Sequence, residues 1–227
     1  MLVIKTIIGL AFQILLIGAI LLIPAGTFYW NDALIWLLAY SVVTGIGGIY
    51  LVIKSPNSVE ARMRTGNAKQ PIRDKVASAF LFTSTFAGFL LCPLDLFHWQ
   101  FAEAPNETLK IMGLILYILG LIVIIAAMAA NEFAAPTVLL QEEEGQKVAD
   151  TGLYAYVRHP MYTGFIFMMI GTFLWLGTYF SLFVGSLMFL TSLAFRINVE
   201  EKVLIAELKG YKEYSEKVKS RLIPFIF

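Results

Sequence analysis

The segment Tyr156-Val157-Arg158-His159-Pro160-Met161-Tyr162-Thr163-Gly164 opens a long apolar run, and Arg196 with the pair Glu200-Glu201 closes it. Ionisable groups beside lipid are costly and mark function more often than packing. His159-Pro160 suits a helix start, because proline's missing N–H has no intrahelical partner in the first turn. Such a start presents N–H groups and a partial positive field, a good seat for a carboxylate. His159 and Tyr162 share a face, and Gly164 leaves room for a ligand to approach. Arg196 and Glu200 are four apart and can pair along one helix face. Glu201, turned by about 100°, points elsewhere, toward a pocket. Each residue alone has a plainer reading: Arg158 and Arg196 as interfacial anchors, and Glu200-Glu201 as the opening of an amphipathic helix. Two such clusters bordering one apolar run favour a single polar pocket.

The elements that position them are membrane helices. Of 227 residues 59% are apolar and 15% charged, against about 25% charged in a soluble domain. The net charge of +1 gives no reason to expect a nucleic-acid partner. Two histidines and one cysteine, Cys92, are too few for a zinc cluster of the usual kind, so no metal is expected. Thr6–Asn31, Ala33–Ile53, Val76–Leu94 and Ile111–Asn131 can each supply roughly 20 residues for one crossing. Met161–Phe195 is too long for one straight span. Trp175-Leu176-Gly177-Thr178-Tyr179 divides it into a hairpin of about 161–176 and 180–196. The expected fold is an all-α integral membrane protein of about six spans, five being the alternative, with a C-terminal hairpin and an amphipathic C-terminal helix. Lysines and arginines crowd 54–75 and the tail from 196, whereas 24–32 and 95–109 hold none. Six spans then put both termini and the basic loop in the cytoplasm.

Residues 1–130 read as a scaffold of four helices and 131–227 as the functional half. Gly45-Ile46-Gly47-Gly48 is expected to serve helix packing, not nucleotide binding. Pro136 ends the fourth span, and Gln141 to Lys147 form a charged re-entry loop. Val199–Lys219 carries apolar residues at helical spacing, which predicts one amphipathic helix along the membrane surface.

Four motifs in order resemble the isoprenylcysteine carboxyl methyltransferase family, which is related to the phospholipid N-methyltransferases: Gly145 through Tyr154, Arg158-His159-Pro160-Met161-Tyr162, Arg196-Ile197-Asn198-Val199-Glu200-Glu201, and Gly210-Tyr211-Lys212-Glu213-Tyr214 through Arg221-Leu222-Ile223-Pro224. The resemblance covers the last 95 or so residues. It implies S-adenosyl-L-methionine as cofactor, bound on the cytoplasmic side by Gln146, Lys147, Val148, Ala149, Tyr154, His159, Pro160, Met161 and Tyr162. It implies that Arg196 and Glu201, with Glu200 beside them, hold the acceptor and carry catalysis. Leu153 stands where many relatives have proline, and Gln146 where the eukaryotic enzymes have histidine.

The implied reaction is methyl transfer to a lipophilic or prenylated acceptor, by carboxyl O-methylation. Arg196 would orient the acceptor carboxylate and Glu201 would hold Arg196 or substrate, with alignment and exclusion of water supplying the rate. Phospholipid amine N-methylation is the alternative, with Glu200 or Glu201 as base. A nicotinamide-dependent membrane reductase fits less well. A small transporter or structural membrane protein would instead place polar residues in the middle of several spans. The implied location is a multi-pass membrane protein, in the plasma membrane of a prokaryote or the endoplasmic reticulum of a eukaryote.

Overall fold

A computed structural model describes residues 1–63, 71–133 and 146–224. Its regular elements, among the described residues, are all helical. In order they are α1 (Leu2–Ala25), α2 (Asn31–Lys54), the short α3 (Pro56–Met63), α4 (Ile72–Leu94), α5 (Glu107–Ala130), α6 (Pro160–Leu176), α7 (Tyr179–Glu207) and α8 (Tyr211–Lys217). A wide π turn, Asp95–Trp99, extends α4, and a 3-10 turn, Gly152–Ala155, precedes α6. Five helices are long and apolar enough to cross a membrane, and α6 is a shorter apolar helix. Side chains such as Ile8, Phe12, Leu38, Ile46, Ile115, Phe183 and Leu187 are exposed along them. The chain is an all-α, multi-pass membrane protein.

Local chemistry sets the boundaries. Gly26 ends α1 at φ 69, its N–H bonded to Ile23 O. Such a left-handed cap costs glycine little. Asn106 caps α5, its side chain accepting from Leu109 N at 3.0 Å. Pro160 is the first residue of α6, as its lack of an N–H predicts. Thr178 and Ser181 form a reciprocal capping box that starts α7 directly after the turn. Asp95, fully buried, accepts from Thr178 Oγ1 and from Phe101 N. The π turn therefore holds the hairpin corner in place.

The hairpin is woven into the scaffold: α6 packs chiefly on α5, and α7 on α4. Gly120 and Gly164 lie where α5 and α6 touch backbone to backbone. A Cβ on Gly164 would fall 2.8 Å from Gly120 O and 2.7 Å from Ile124 Cγ1. Gly164 thus serves helix contact rather than ligand approach, which corrects the sequence expectation. Gly47, from the Gly-rich stretch of α2, is pressed against Ile125 of α5. Trp36 stacks on Tyr117 with ring centroids 4.7 Å apart and donates to Thr172 Oγ1 at 3.1 Å. This locks α2, α5 and α6 together at the centre. Ser84 and Ser192, 2.6 Å apart, link α4 to α7.

The single amphipathic helix expected over 199–219 is divided. Residues 199–207 prolong α7, which is 29 residues long, or about 43 Å at about 1.5 Å per residue. The chain breaks before Gly210, at φ 86, and α8 begins at Tyr211. Tyr211, Tyr214 and Val218 pack there with Leu204 and Leu208 and with Val148. The break folds α8 back against α7, a compact burial that helical periodicity alone does not reveal. Ala134–Gly145, including Pro136 and most of the expected re-entry loop, lie outside the described residues.

Candidate functional site

The ionisable side chains singled out from the sequence gather at one end of the bundle, where the ends of α2, α5 and α7 meet the starts of α4 and α6. Ser55 Oγ donates to Ala129 O at 3.1 Å, tying α2 to α5 at that end. The opposite end has its own ties, Lys110 Nζ to Asp32 Oδ2 at 2.7 Å and Trp175 Nε1 to Asp32 O at 2.7 Å. Glu200 and Glu201 lie more than 20 residues beyond Tyr179 in α7, roughly one hydrocarbon thickness from the hairpin turn.

Arg196 is 2% exposed. Its Nε donates to Tyr162 Oη at 3.1 Å and lies 3.5 Å from Glu200 Oε2. Its Nη1 donates to Asp74 Oδ1 and, at 2.9 Å, to Ser78 Oγ. Tyr162 Oη in turn donates to Glu200 Oε2 at 2.5 Å. The expected Arg196–Glu200 pair is present.

Glu201, 5% exposed, belongs to a second knot. Arg158 Nε donates to its Oε1 at 2.6 Å, and Arg221 Nε lies 2.9 Å from Oε2. His159 bridges the two knots. Its Nε2 is 3.2 Å from Glu201 Oε1 and its Nδ1 is 3.8 Å from Glu200 Oε1. Its ring stacks on Tyr162 at 5.6 Å. Of the expectations that Glu201 holds Arg196 or substrate, the first is corrected: Glu201 engages Arg158, His159 and Arg221, whereas Arg196 engages Asp74, Ser78, Tyr162 and Glu200. Consecutive residues on a helix face directions about 100° apart, so Glu200 and Glu201 serve different neighbours.

The two carboxylates meet the start of α6, where the helix field favours negative charge. His159 O accepts from Tyr162 N and Thr163 N at 3.0 and 3.2 Å. Arg158 also stitches the tail to this start, with Nη1 donating to Val218 O at 2.7 Å and Lys219 O at 2.9 Å. Backbone pairing adds Arg158 N to Ser220 O and His159 N to Arg221 O, at 3.0 and 2.9 Å.

The other residues expected to bind a cofactor lie beside this cluster. Gln146, Lys147, Val148 and Ala149 run without regular structure, with Lys147 exposed and Val148 packed on the Tyr211 and Tyr214 cluster. Tyr154 is buried, and its carbonyl accepts from Tyr214 Oη at 2.7 Å. Pro160 and Met161 form the first turn of α6. Burial pushes the Tyr211 and Tyr214 phenols above their ordinary range, so both stay protonated near neutral pH. The Tyr211 hydroxyl is buried with no hydrogen-bond partner among the described residues, and both glutamates lie within electrostatic reach of it.

Sequence reasoning missed Asp74 and Ser78, and it placed Tyr211 and Arg221 in the fourth motif without giving either a role in the site. Asp74 sits between Arg73 and Lys75 and is lost in the basic run. Its one local signal is the spacing to Ser78, four residues on, which places both on one face of α4.

The sequence of this helical bundle is similar to those of known proteins. Residues 108–209, somewhat under half of the chain, match the phospholipid methyltransferase family. The span runs from the first turn of α5 to just past α7, so it holds three of the four motifs and stops short of the last. Among curated proteins, the protein-S-isoprenylcysteine O-methyltransferase of Saccharomyces cerevisiae is 34% identical over 140 residues, 61% of this chain and 57% of that protein. The one of Schizosaccharomyces pombe is 33% identical over 102 residues, 44% and 43% respectively. A probable protein-S-isoprenylcysteine O-methyltransferase of Oryza sativa subsp. indica is 31% identical over 117 residues, 51% and 61%. The chain thus spans about half the length of the curated relatives it matches.

Proposed function

We propose that this chain is an S-adenosylmethionine-dependent methyltransferase. It would act on a lipophilic acceptor at the cytoplasmic membrane face, most simply by carboxyl O-methylation of an isoprenylcysteine-type substrate. The observation that carries the reading is the knot of Arg196, Glu200, Glu201, His159 and Tyr162. It is buried at one end of an apolar bundle, within a methyltransferase-family segment. The cytoplasmic assignment rests on Lys54, Arg73, Lys75 and the lysines beyond α7, which all lie at the end of the bundle that holds the knot.

The residues fit the cofactor by type. Glu200 and Glu201 suit its cationic groups, Arg158, Arg221 and the α6 start suit its carboxylate, and the Val148–Tyr211–Tyr214 cluster offers an apolar shelf for a base. The Tyr211 hydroxyl, without a partner among the described residues, is a donor for which a bound ligand would supply an acceptor. S-adenosylmethionine, when bound, supplies an electrophilic methyl group on a sulfonium. The protein's share is positioning and exclusion of water. A carboxylate acceptor is already nucleophilic, so Arg196 would orient it and no base is required. His159, stacked on Tyr162 and bonded to Glu201, would fix the wall between donor and acceptor. An apolar acceptor tail would lie among the helices and enter from lipid.

One observation favours the amine alternative. Arg196 already engages two carboxylates, Asp74 and Glu200, and Glu200 could take a proton from an amine. Labelled methyl transfer by purified protein to an S-prenylated cysteine and, in parallel, to phosphatidylethanolamine separates the two. Arg196→Lys is the matched variant, because lysine lacks the paired planar donors. The carboxyl reading expects label on the prenylated cysteine, lost in Arg196→Lys with cofactor affinity nearly unchanged. Label on the amine lipid alone would select the alternative, and full activity in Arg196→Lys would return that residue to an anchoring role.

A further inference from the structure

Asp74 comes from α4, outside residues 108–209 and outside every motif that carries the family resemblance. It is fully buried, and its carboxylate accepts from Nη1 of a guanidinium that is itself 2% exposed. Ser78, on the same face of α4, accepts from that nitrogen at 2.9 Å. From the other side, Tyr162 Oη and Glu200 Oε2 hold Nε at 3.1 and 3.5 Å. A guanidinium is planar, so fixing it at Nη1 from α4 and at Nε from α6 and from its own helix fixes its plane. The seam between α4 and α7 continues along Ser84–Ser192 and the Phe80–Phe195 edge contact. The register of α4 against α7 is thereby set, and the Asp74 carboxylate has a fixed anchor point.

We infer that Asp74 is a positioning residue for methyl transfer: with Ser78 it orients the Arg196 guanidinium, so that the scaffold helix α4 sets the geometry at the acceptor. The role rests on the methyltransferase reading above. A group that holds a catalytic fork acts on the transfer step, whereas a mere tie between α4 and α7 acts on stability.

The experiment compares wild type, Asp74→Asn, Asp74→Glu and Ser78→Ala in detergent, measuring transfer kinetics, calorimetric S-adenosylmethionine affinity and thermal midpoint together. Positioning predicts that folded Asp74→Asn keeps its cofactor affinity within about twofold while kcat falls about tenfold to a hundredfold, the scale of a small misplacement. Asp74→Glu should recover part of the loss, since it restores the charge one methylene out of place. If Asp74→Asn does not fold, Ser78→Ala still decides. It should lower kcat severalfold without lowering the midpoint, and unimpaired kcat would overturn the role. A double-mutant cycle of Asp74→Asn with Arg196→Gln, read on thermal midpoint, should be non-additive. An additive cycle overturns the coupling whatever the activity. An active wild type with an equally active Asp74→Asn overturns the positioning role alone. A wild type that neither binds the cofactor nor transfers methyl overturns it together with the functional reading.

Discussion

Arg158 reaches from the start of α6 to Glu201 of α7 and to three carbonyls of α8 and the tail, those of Ser215, Val218 and Lys219. Read as an isolated letter it is an interfacial anchor, because snorkelling arginines at helix ends are common. Folded, it is 9% exposed and cannot be serving lipid headgroups. Removing one partner of a buried ion pair typically costs about 3–5 kcal/mol. Arg221 still neutralises Glu201, so Arg158→Ala should cost near the lower end, about 3 kcal/mol, and free the tail. Thermal unfolding in detergent with limited proteolysis of residues 215–224 checks this; an unchanged midpoint with a protected tail would return Arg158 to the anchor class. The clustering of Arg158, His159, Tyr162, Arg196, Glu200 and Glu201 was legible because their spacing along two helices is local information. The pairing of Glu201 with Arg221 and of Arg196 with Asp74 was not, since it depends on which helices become neighbours.

At the scale of elements, hydrophobic run length and Gly177 placed the α6–α7 hairpin within a residue or two, because both signals are short-range. The extent of α7 was misjudged. Arg196, Glu200 and Glu201 looked like an exit from the membrane, but buried partners let the helix carry them onward without a break. Gly164 belongs here too. Gly164→Ala would push a methyl group into the α5 backbone, and overpacking of this kind costs about 1–3 kcal/mol. The expected result is a lower thermal midpoint, with cofactor affinity reduced only as far as folding fails. A variant as stable as wild type but with weakened ligand binding would restore the ligand-approach reading of this glycine.

For the whole molecule, composition alone settled the class, since few arrangements tolerate so much apolar surface in water. Orientation is an inference from Lys and Arg placement. Reporter fusions at Asn57 and after Phe227 should report the cytoplasm, and one at Glu103 the opposite side. Residues 57 and 227 on opposite faces would break the six-crossing topology. The first 130 residues offered no functional signal in sequence, yet α4 contributes Asp74 and Ser78 to the polar knot. A boundary at residue 130 leaves Asp74 and Ser78 on the other side of it from the rest of the polar knot. The central claim, that this knot serves an S-adenosylmethionine-dependent transfer, meets its most direct test in calorimetric titration of the purified, folded protein with that cofactor. The account predicts saturable binding in wild type, weakened in His159→Ala by about 1–3 kcal/mol as a buried hydrogen bond is lost. No saturable binding by folded wild-type protein would contradict it.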